Sequence, residues 1–315
     1  MLSDAGELPR GVSNMQNCRS RIWINSLALF AAGLALASAA RAQMPPEWIE
    51  PFPPFRIADD LYYVGSKDLA NYLITTPKGH ILINSGLEIS VPLIRASVEK
   101  LGFKFADIRI LLISHAHFDH DAGSALIKKL TGAKYMVMDA DVSVVESGGE
   151  TDFQYGAMQQ LRYPPAKVDR VLHDGDQVEL GGAVLVAHLT PGHTRGCTTW
   201  TMKVQEAGRT YDVVIIGSPY VNPGYKLIDN VAYPQIAADY KRTFWVLMSL
   251  PADIFLGAHG SYFDLVTKYP KLQERGATPF VDPAGYKRFV DETGAAFQTE
   301  LAKQQAARGD AARPE

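Results

Sequence analysis

Residues Leu111 to Gly123 read LLISHAHFDHDAG. An apolar run of strand type (Ile108, Ile110, Leu111, Leu112, Ile113) passes into His115, His117, Asp119 and His120, after which Asp121, Ala122 and Gly123 open a helix. Four candidate metal ligands therefore fall within six residues at the carboxyl end of a strand. Imidazole and carboxylate suit zinc. A chain turning out of a strand aims such side chains at one or two ions, whereas extended backbone would alternate them between faces. Histidines at a strand end can also be ordinary core or surface residues, but this many ionisable groups at an apolar edge are costly without a metal.

The 315 residues are 47% hydrophobic and 21% charged, a globular composition long enough for one large domain or two ordinary ones. The formal net charge of -3, with no basic cluster, gives no reason to invoke a nucleic acid partner. Residues 1–42 read as a signal peptide: Arg19 and Arg21 precede the apolar stretch Ile22 to Ala40, and Ala40-Arg41-Ala42 offers small residues for cleavage after Ala42, with Met15 as an alternative start. A membrane anchor is the competing reading, but the stretch is only marginally long and is broken by Asn25 and Gly33. Export to the periplasm or beyond is expected, with no membrane attachment after cleavage. Cys18 leaves with the signal and Cys197 remains alone, so no intramolecular disulfide is expected.

Residues 43–56 are read as an N-terminal arm, in which Trp48, Phe52 and Phe55 stand among five prolines. Proline excludes regular helix or central strand while the aromatics call for burial. The arm is expected either to lean over a substrate cleft or to wrap the domain's flank. The domain itself, residues 57–315, opens with an antiparallel meander (Leu61 to Val64, Asn71 to Thr75, His80 to Asn84), then a helix from Ile89 to Leu101 and, after the histidine-bearing strand, a helix from Ala122 to Leu130 and a strand from Lys134 to Met138. Residues 140 to 165 read as a surface loop, with Phe153, Gln154 and Tyr155 either facing a cleft or packing within the loop. Strands follow at Arg170 to Leu172, Gln177 to Leu180, Ala183 to Leu189, Asp212 to Ile216 and Ile254 to Leu256, with helices at Val231 to Met248 and Tyr286 to Ala307 before a frayed tail.

Two later strands repeat the opening pattern. Ala183 to Leu189 runs into Thr190-Pro191-Gly192-His193, and Ile254 to Leu256 into Gly257-Ala258-His259. His193 is the expected third ligand beside His115 and His117, whereas His80, His173 and His188 read as packing or surface residues and Cys197 as a buried, non-ligating thiol. Five histidines and one aspartate are too many for one tetrahedral ion, but suit two adjacent zinc ions sharing a water or hydroxide. Two close ions provide hydroxide at neutral pH, which points to hydrolysis.

The motifs HAHFDH, PGHT and GAH resemble those of the metallo-beta-lactamase superfamily, over about residues 57 to 285, and within it the chain resembles subclass B3. The resemblance implies an α/β fold, a four-layer alpha-beta/beta-alpha sandwich with two zinc ions at one edge between the sheets. It implies that His115, His117 and His193 hold the first zinc and Asp119, His120 and His259 the second. It further implies that a bridging hydroxide, oriented by Asp119, attacks the beta-lactam carbonyl, a reaction expected to confer antibiotic resistance. The subclass follows from Gly217-Ser218-Pro219, where other superfamily hydrolases carry a bridging aspartate and B1 enzymes a zinc-binding cysteine; Asn222-Pro223-Gly224-Tyr225 also resembles B3. Ser218, Asn222 and Thr194, with Tyr155 and Phe153, are the expected substrate-binding residues, because Pro219, Tyr220 and Val221 occupy the region where B3 enzymes often place a serine. The cysteine that many members pair with one near Cys197 is missing. Two other readings stand beside this one: an exported hydrolase of the same fold acting on a lactone, ester or phosphodiester, and a non-catalytic metal-binding protein.

Overall fold

The computed structural model describes residues 44–272 and 278–311. The expected signal peptide, Cys18 and the last four residues of the tail lie outside them. Seven strands form one sheet in sequence order: β1 (Phe55–Ala58), β2 (Leu61–Tyr63), β3 (Tyr72–Thr76), β4 (Gly79–Ile83), β5 (Ile108–Leu112), β6 (Lys134–Met138) and β7 (Arg170–Leu172). The first four are antiparallel, as the meander predicts, and β4 to β7 are parallel. The second sheet has the order β12-β11-β10-β9-β8, built from β8 (Gln177–Leu180), β9 (Ala183–Leu189), β10 (Thr198–Glu206), β11 (Arg209–Ile216) and β12 (Ile254–Gly257), with β12 parallel to β11.

Period-two alternation sorts the side chains of the first sheet into two cores. Tyr72, Ile74, Ile81, Ile83, Ile110, Leu112 and Met136 face the second sheet, where they join Leu185, Ala187, Trp200, Met202 and Val204. Leu73, Leu82, Leu111, Tyr135 and Val137 face the other way, onto helices α1 (Val91–Lys100), α3 (Ser124–Thr131) and α4 (Val142–Glu146); the short α2 (Phe118–Asp121) carries part of the histidine cluster. The second sheet is covered in turn by α5 (Ile236–Ser249) and α7 (Pro283–Ala311), with α6 (Leu265–Lys268) between them in sequence. Helices, sheet, sheet, helices is the expected four-layer α/β sandwich. Each fully buried Leu or Ile contributes about 1.5–3 kcal/mol, so both cores are required.

Several boundaries depart from expectation for local reasons. Ile89 is exposed on a short turn, because Pro92 fits only the first turn of a helix and so α1 starts at Val91. Val231 is 95% exposed and the next helix waits until Ile236, beyond the Pro234 break. The expected loop between residues 140 and 165 includes α4. β10 had no counterpart in the sequence reading, although Thr198, Trp200, Met202 and Val204 alternate inward along it. The arm ends in β1, and Phe52 and Phe55 pack on Tyr63 and Tyr269. Among the described residues, no helix is long and apolar enough to cross a membrane.

Candidate metal centre

β5 delivers the first ligand candidates. Beyond Leu112 the chain leaves the sheet and bends at Ser114, Ala116 and His117, the last of which, at φ -91° and ψ 154°, precedes α2. His115 and His117 converge from this bent segment, their ring centroids 4.9 Å apart. Asp119 and His120 sit on the turn of α2 that follows, where the N–H groups of His120 and Asp121 both donate to the His117 carbonyl. The six-residue motif thus changes backbone state midway, which lets neighbouring ligands in sequence face different positions.

His193 arrives from the end of β9. Gly192 turns the chain at φ +128°, and a Cβ there would lie 2.8 Å from the Tyr240 ring, so both conformation and space demand glycine. Asp141 joins this turn to the β5 loop: its carboxyl accepts the Ala116 N–H at 3.0 Å, the Thr194 hydroxyl at 2.7 Å and the Gly196 N–H at 2.8 Å. His259 follows β12 on extended backbone.

The structure brings all six candidate ligands together. Donor atoms of His115, His117 and His193 lie within 4.8 Å of one another, and so do those of His115, Asp119 and His120. His115 belongs to both groups, so the two sets abut. His259 completes the second: its Nε2 is 3.1 Å from His120 Nε2 and 3.6 Å from Asp119 Oδ2, while His120 Nε2 is 3.2 Å from Asp119 Oδ2. Four-coordinate zinc with bonds of about 2.0–2.1 Å separates its ligand atoms by about 3.3 Å, within this range.

The tautomers also fit a metal. His193 Nδ1 donates to the Tyr220 carbonyl at 2.8 Å and His259 Nδ1 to the Asp68 carboxylate at 2.8 Å. Both partners only accept, so each ring carries a proton on Nδ1 and turns Nε2 inward. His117 Nε2 is buried without a hydrogen-bond partner, with Asp152 Oδ2 3.8 Å away. Burial lowers His117 to about 4 and His193 to about 3, and holds His115 well below the usual histidine range. Burial alone would raise Asp119, yet His120 and His259 beside it bring the carboxyl below its ordinary range. His115, His117, His120 and His193, all lowered by burial, are neutral imidazoles at neutral pH and Asp119 is an ionised carboxylate, the protonation states a zinc site needs.

The set opens into a cleft of about 430 Å³ walled by Trp48, Tyr155, Tyr220, Asn222 and Tyr262. Of the two arm alternatives, Trp48 satisfies the first, its ring centroid 5.9 Å from that of His259. Tyr155 and Asn222 line the cleft as expected, joined by a 2.9 Å hydrogen bond from the Asn222 amide to the Tyr155 hydroxyl.

Three other expected substrate residues do not line it. Phe153 packs between Tyr225 and Tyr233, at 5.1 and 4.9 Å, because an unaccompanied phenyl ring gains more from that aromatic core. Thr194 spends its hydroxyl on buried Asp141. Ser218 is buried, its hydroxyl 3.3 Å from that of Tyr262 and its N–H donated to Cys197 Sγ at 3.2 Å. The end of β11 therefore adds no ligand. Cys197 is a buried free thiol raised to about 12 by burial, His173 is exposed, His80 packs on Phe103 and His188 bonds Thr201. Asp68 and Asp141 escaped the sequence reading altogether. Asp68 meets His259 across 191 residues, a separation no local spacing reveals.

The family model of the metallo-beta-lactamase superfamily matches residues 70–259. The chain belongs to that superfamily, and its strong structural matches include subclass B3 enzymes. The native FEZ-1 metallo-beta-lactamase from Legionella gormanii is 61% identical, with a TM-score of 0.81 over 84% of this chain and 99% of that one. The class B3 di-zinc enzyme LRA-12 from an Alaskan soil metagenome is 36% identical, with a TM-score of 0.79 over 82% of this chain and 97% of that one. A probable metallo-hydrolase of Burkholderia pseudomallei is 30% identical over 134 residues, 41% of this chain and 43% of the relative, so the match spans less than half the length of that curated relative.

Proposed function

We propose that the protein is an exported zinc beta-lactamase that opens the beta-lactam amide and so confers antibiotic resistance. The observation that carries this reading is the convergence of six donors, five of them buried and His259 partly exposed, in two abutting sets, with no ligand contributed by the end of β11. The similarity to di-zinc B3 enzymes supports it. His115, His117 and His193 would hold one zinc ion, and Asp119, His120 and His259 the other. When bound, the pair supplies Lewis acidity and hydroxide at neutral pH.

The chain's own residues do the rest. Burial disfavours the charged form of His115, His117, His120 and His193, and Tyr220 and Asp68 engage Nδ1–H of His193 and His259 so that each presents Nε2. Asp119, in the second set and on the cleft wall, orients the attacking nucleophile. Trp48, Tyr155, Tyr220 and Tyr262 offer apolar walls to a bicyclic substrate. The second amide hydrogen of Asn222, beyond the one given to Tyr155, is available to the substrate's carboxylate. Arg19, Arg21 and the apolar stretch after them support periplasmic or secreted placement.

Assay of the purified protein on a penicillin, a cephalosporin and a carbapenem, beside a lactone, an ester and a phosphodiester, tests the proposal. Turnover of at least one antibiotic group is expected. Turnover confined to the second group of substrates would move the protein to a different hydrolase of the same fold.

A further inference from the structure

Asp68 lies in the turn between β2 and β3, and its backbone is held on both sides. Its N–H donates to the Glu47 carbonyl of the arm at 3.1 Å, and its carbonyl accepts the Gly260 N–H at 2.6 Å. The turn is closed by Ser66, whose hydroxyl accepts the Leu69 N–H at 3.0 Å and whose carbonyl accepts the Tyr63 hydroxyl at 2.6 Å. An isolated β-bridge then pairs Leu69 with His259. Gly260 makes this approach feasible, since a Cβ there would lie 2.9 Å from the Lys67 carbonyl oxygen.

Both carboxyl oxygens of Asp68 are engaged on the two sides of Gly260: Oδ2 accepts His259 Nδ1–H at 2.8 Å and Oδ1 the Ser261 N–H at 2.9 Å. A carboxylate gripped at both oxygens and at its own backbone cannot swing. His259 needs such a fixture more than its neighbour does, because its side chain is 14% exposed where that of His120 is 1% exposed. A ring less confined by packing is oriented by its hydrogen bond.

We propose, on the two-ion reading above, that Asp68 is the positioning residue of the second metal position, fixing His259 and thereby setting the affinity of that position independently of the first. The arm takes part through the Glu47 carbonyl, so the amino-terminal segment and the metal centre are mechanically joined.

The test compares wild type with Asp68→Asn, which keeps the size of the side chain but faces His259 Nδ1–H with an amide. Zinc alone is the probe, in competition with a chromophoric chelator, and the spectrum of the cobalt-loaded protein reports each position. Thermal melting of the metal-free proteins establishes that both are folded, with Asp68→Ala as the replacement if the Asn variant is not. Wild type should bind two ions, and the variant should lose about 10- to 100-fold in affinity for one of them while the other is unchanged. Equal weakening of both, or of neither, overturns the role of Asp68. Fewer than two ions in wild type contradicts the two-ion reading itself, and with it the position that Asp68 would serve.

Discussion

Asp141 and Thr194, 53 residues apart in sequence, meet through a 2.7 Å hydrogen bond beneath the metal centre. The same buried carboxyl takes the N–H groups of Ala116 and Gly196, so it holds the loop carrying His115 and His117 against the turn carrying His193. Asp141→Ala leaves three buried donors without an acceptor, each costing about 1–3 kcal/mol. A loss of at least about 3 kcal/mol is expected in urea unfolding, accompanied by weaker metal binding. A change under about 1 kcal/mol would show that water replaces the carboxyl without penalty.

The pH dependence of the metal-free protein follows from its buried rings. His117 is lowered from 6.5 to about 4 and His193 to about 3 by burial, with His115 and His120 shifted the same way. Below pH 6.5 the unfolded chain gains protons that these native rings refuse, so their contribution is intact above that value and is lost as the pH falls toward 4 and 3. Asp121 and Asp141, raised by burial to about 7 and about 6, and Asp152, raised likewise, act oppositely, but they are three groups against these four rings and His80 and His188, which burial lowers too. The urea midpoint of the metal-free protein should therefore fall from pH 7 to pH 4.5. A midpoint that rises over this interval contradicts the assignment of neutral, buried histidines.

Cys197 has no accessible surface and its thiol is raised to about 12 by burial. A maleimide reagent should leave it unmodified in the native protein and label it after unfolding, and full activity should survive native treatment. Labelling of the metal-free native chain that zinc prevents would instead make the thiol a ligand.

Tyr155 stacks its ring edge on His117 at 5.1 Å and accepts the Asn222 amide through its hydroxyl. Tyr155→Phe keeps the ring and releases Asn222. Steady-state kinetics should show KM raised several-fold with kcat nearly unchanged, the pattern of lost uniform binding. A fall in kcat at constant KM would place the hydroxyl in the chemical step.

The parts of this fold carried by periodicity were open to reading from the chain alone. β5, β9 and β12 show continuous or alternating apolar runs, and His115, His193 and His259 each stand just beyond where such a run stops. The rest depends on contacts between distant segments. Asp68 and Asp141 are single acidic residues in turns, indistinguishable in sequence from solvated ones, and only the packing of the sheet ends gives them partners. Phe153 and Tyr155 share a loop and a residue class; their different fates are set by Tyr225 and Tyr233 on one side and by His117 on the other. β10 was readable in principle, yet its threonines and its Arg-Gly-Cys approach resemble a loop until its pairing with β9 and β11 is seen.

On the proposed reading, two zinc ions in the paired sets of ligands carry beta-lactam hydrolysis. Its most direct test is to strip the purified protein with a chelator, return zinc in measured steps, and follow turnover of a hydrolysed antibiotic beside the bound metal per chain. No turnover is expected without metal, and full activity is expected on reaching two zinc ions per chain. Turnover that survives complete metal removal, or that is complete at one ion, would contradict it.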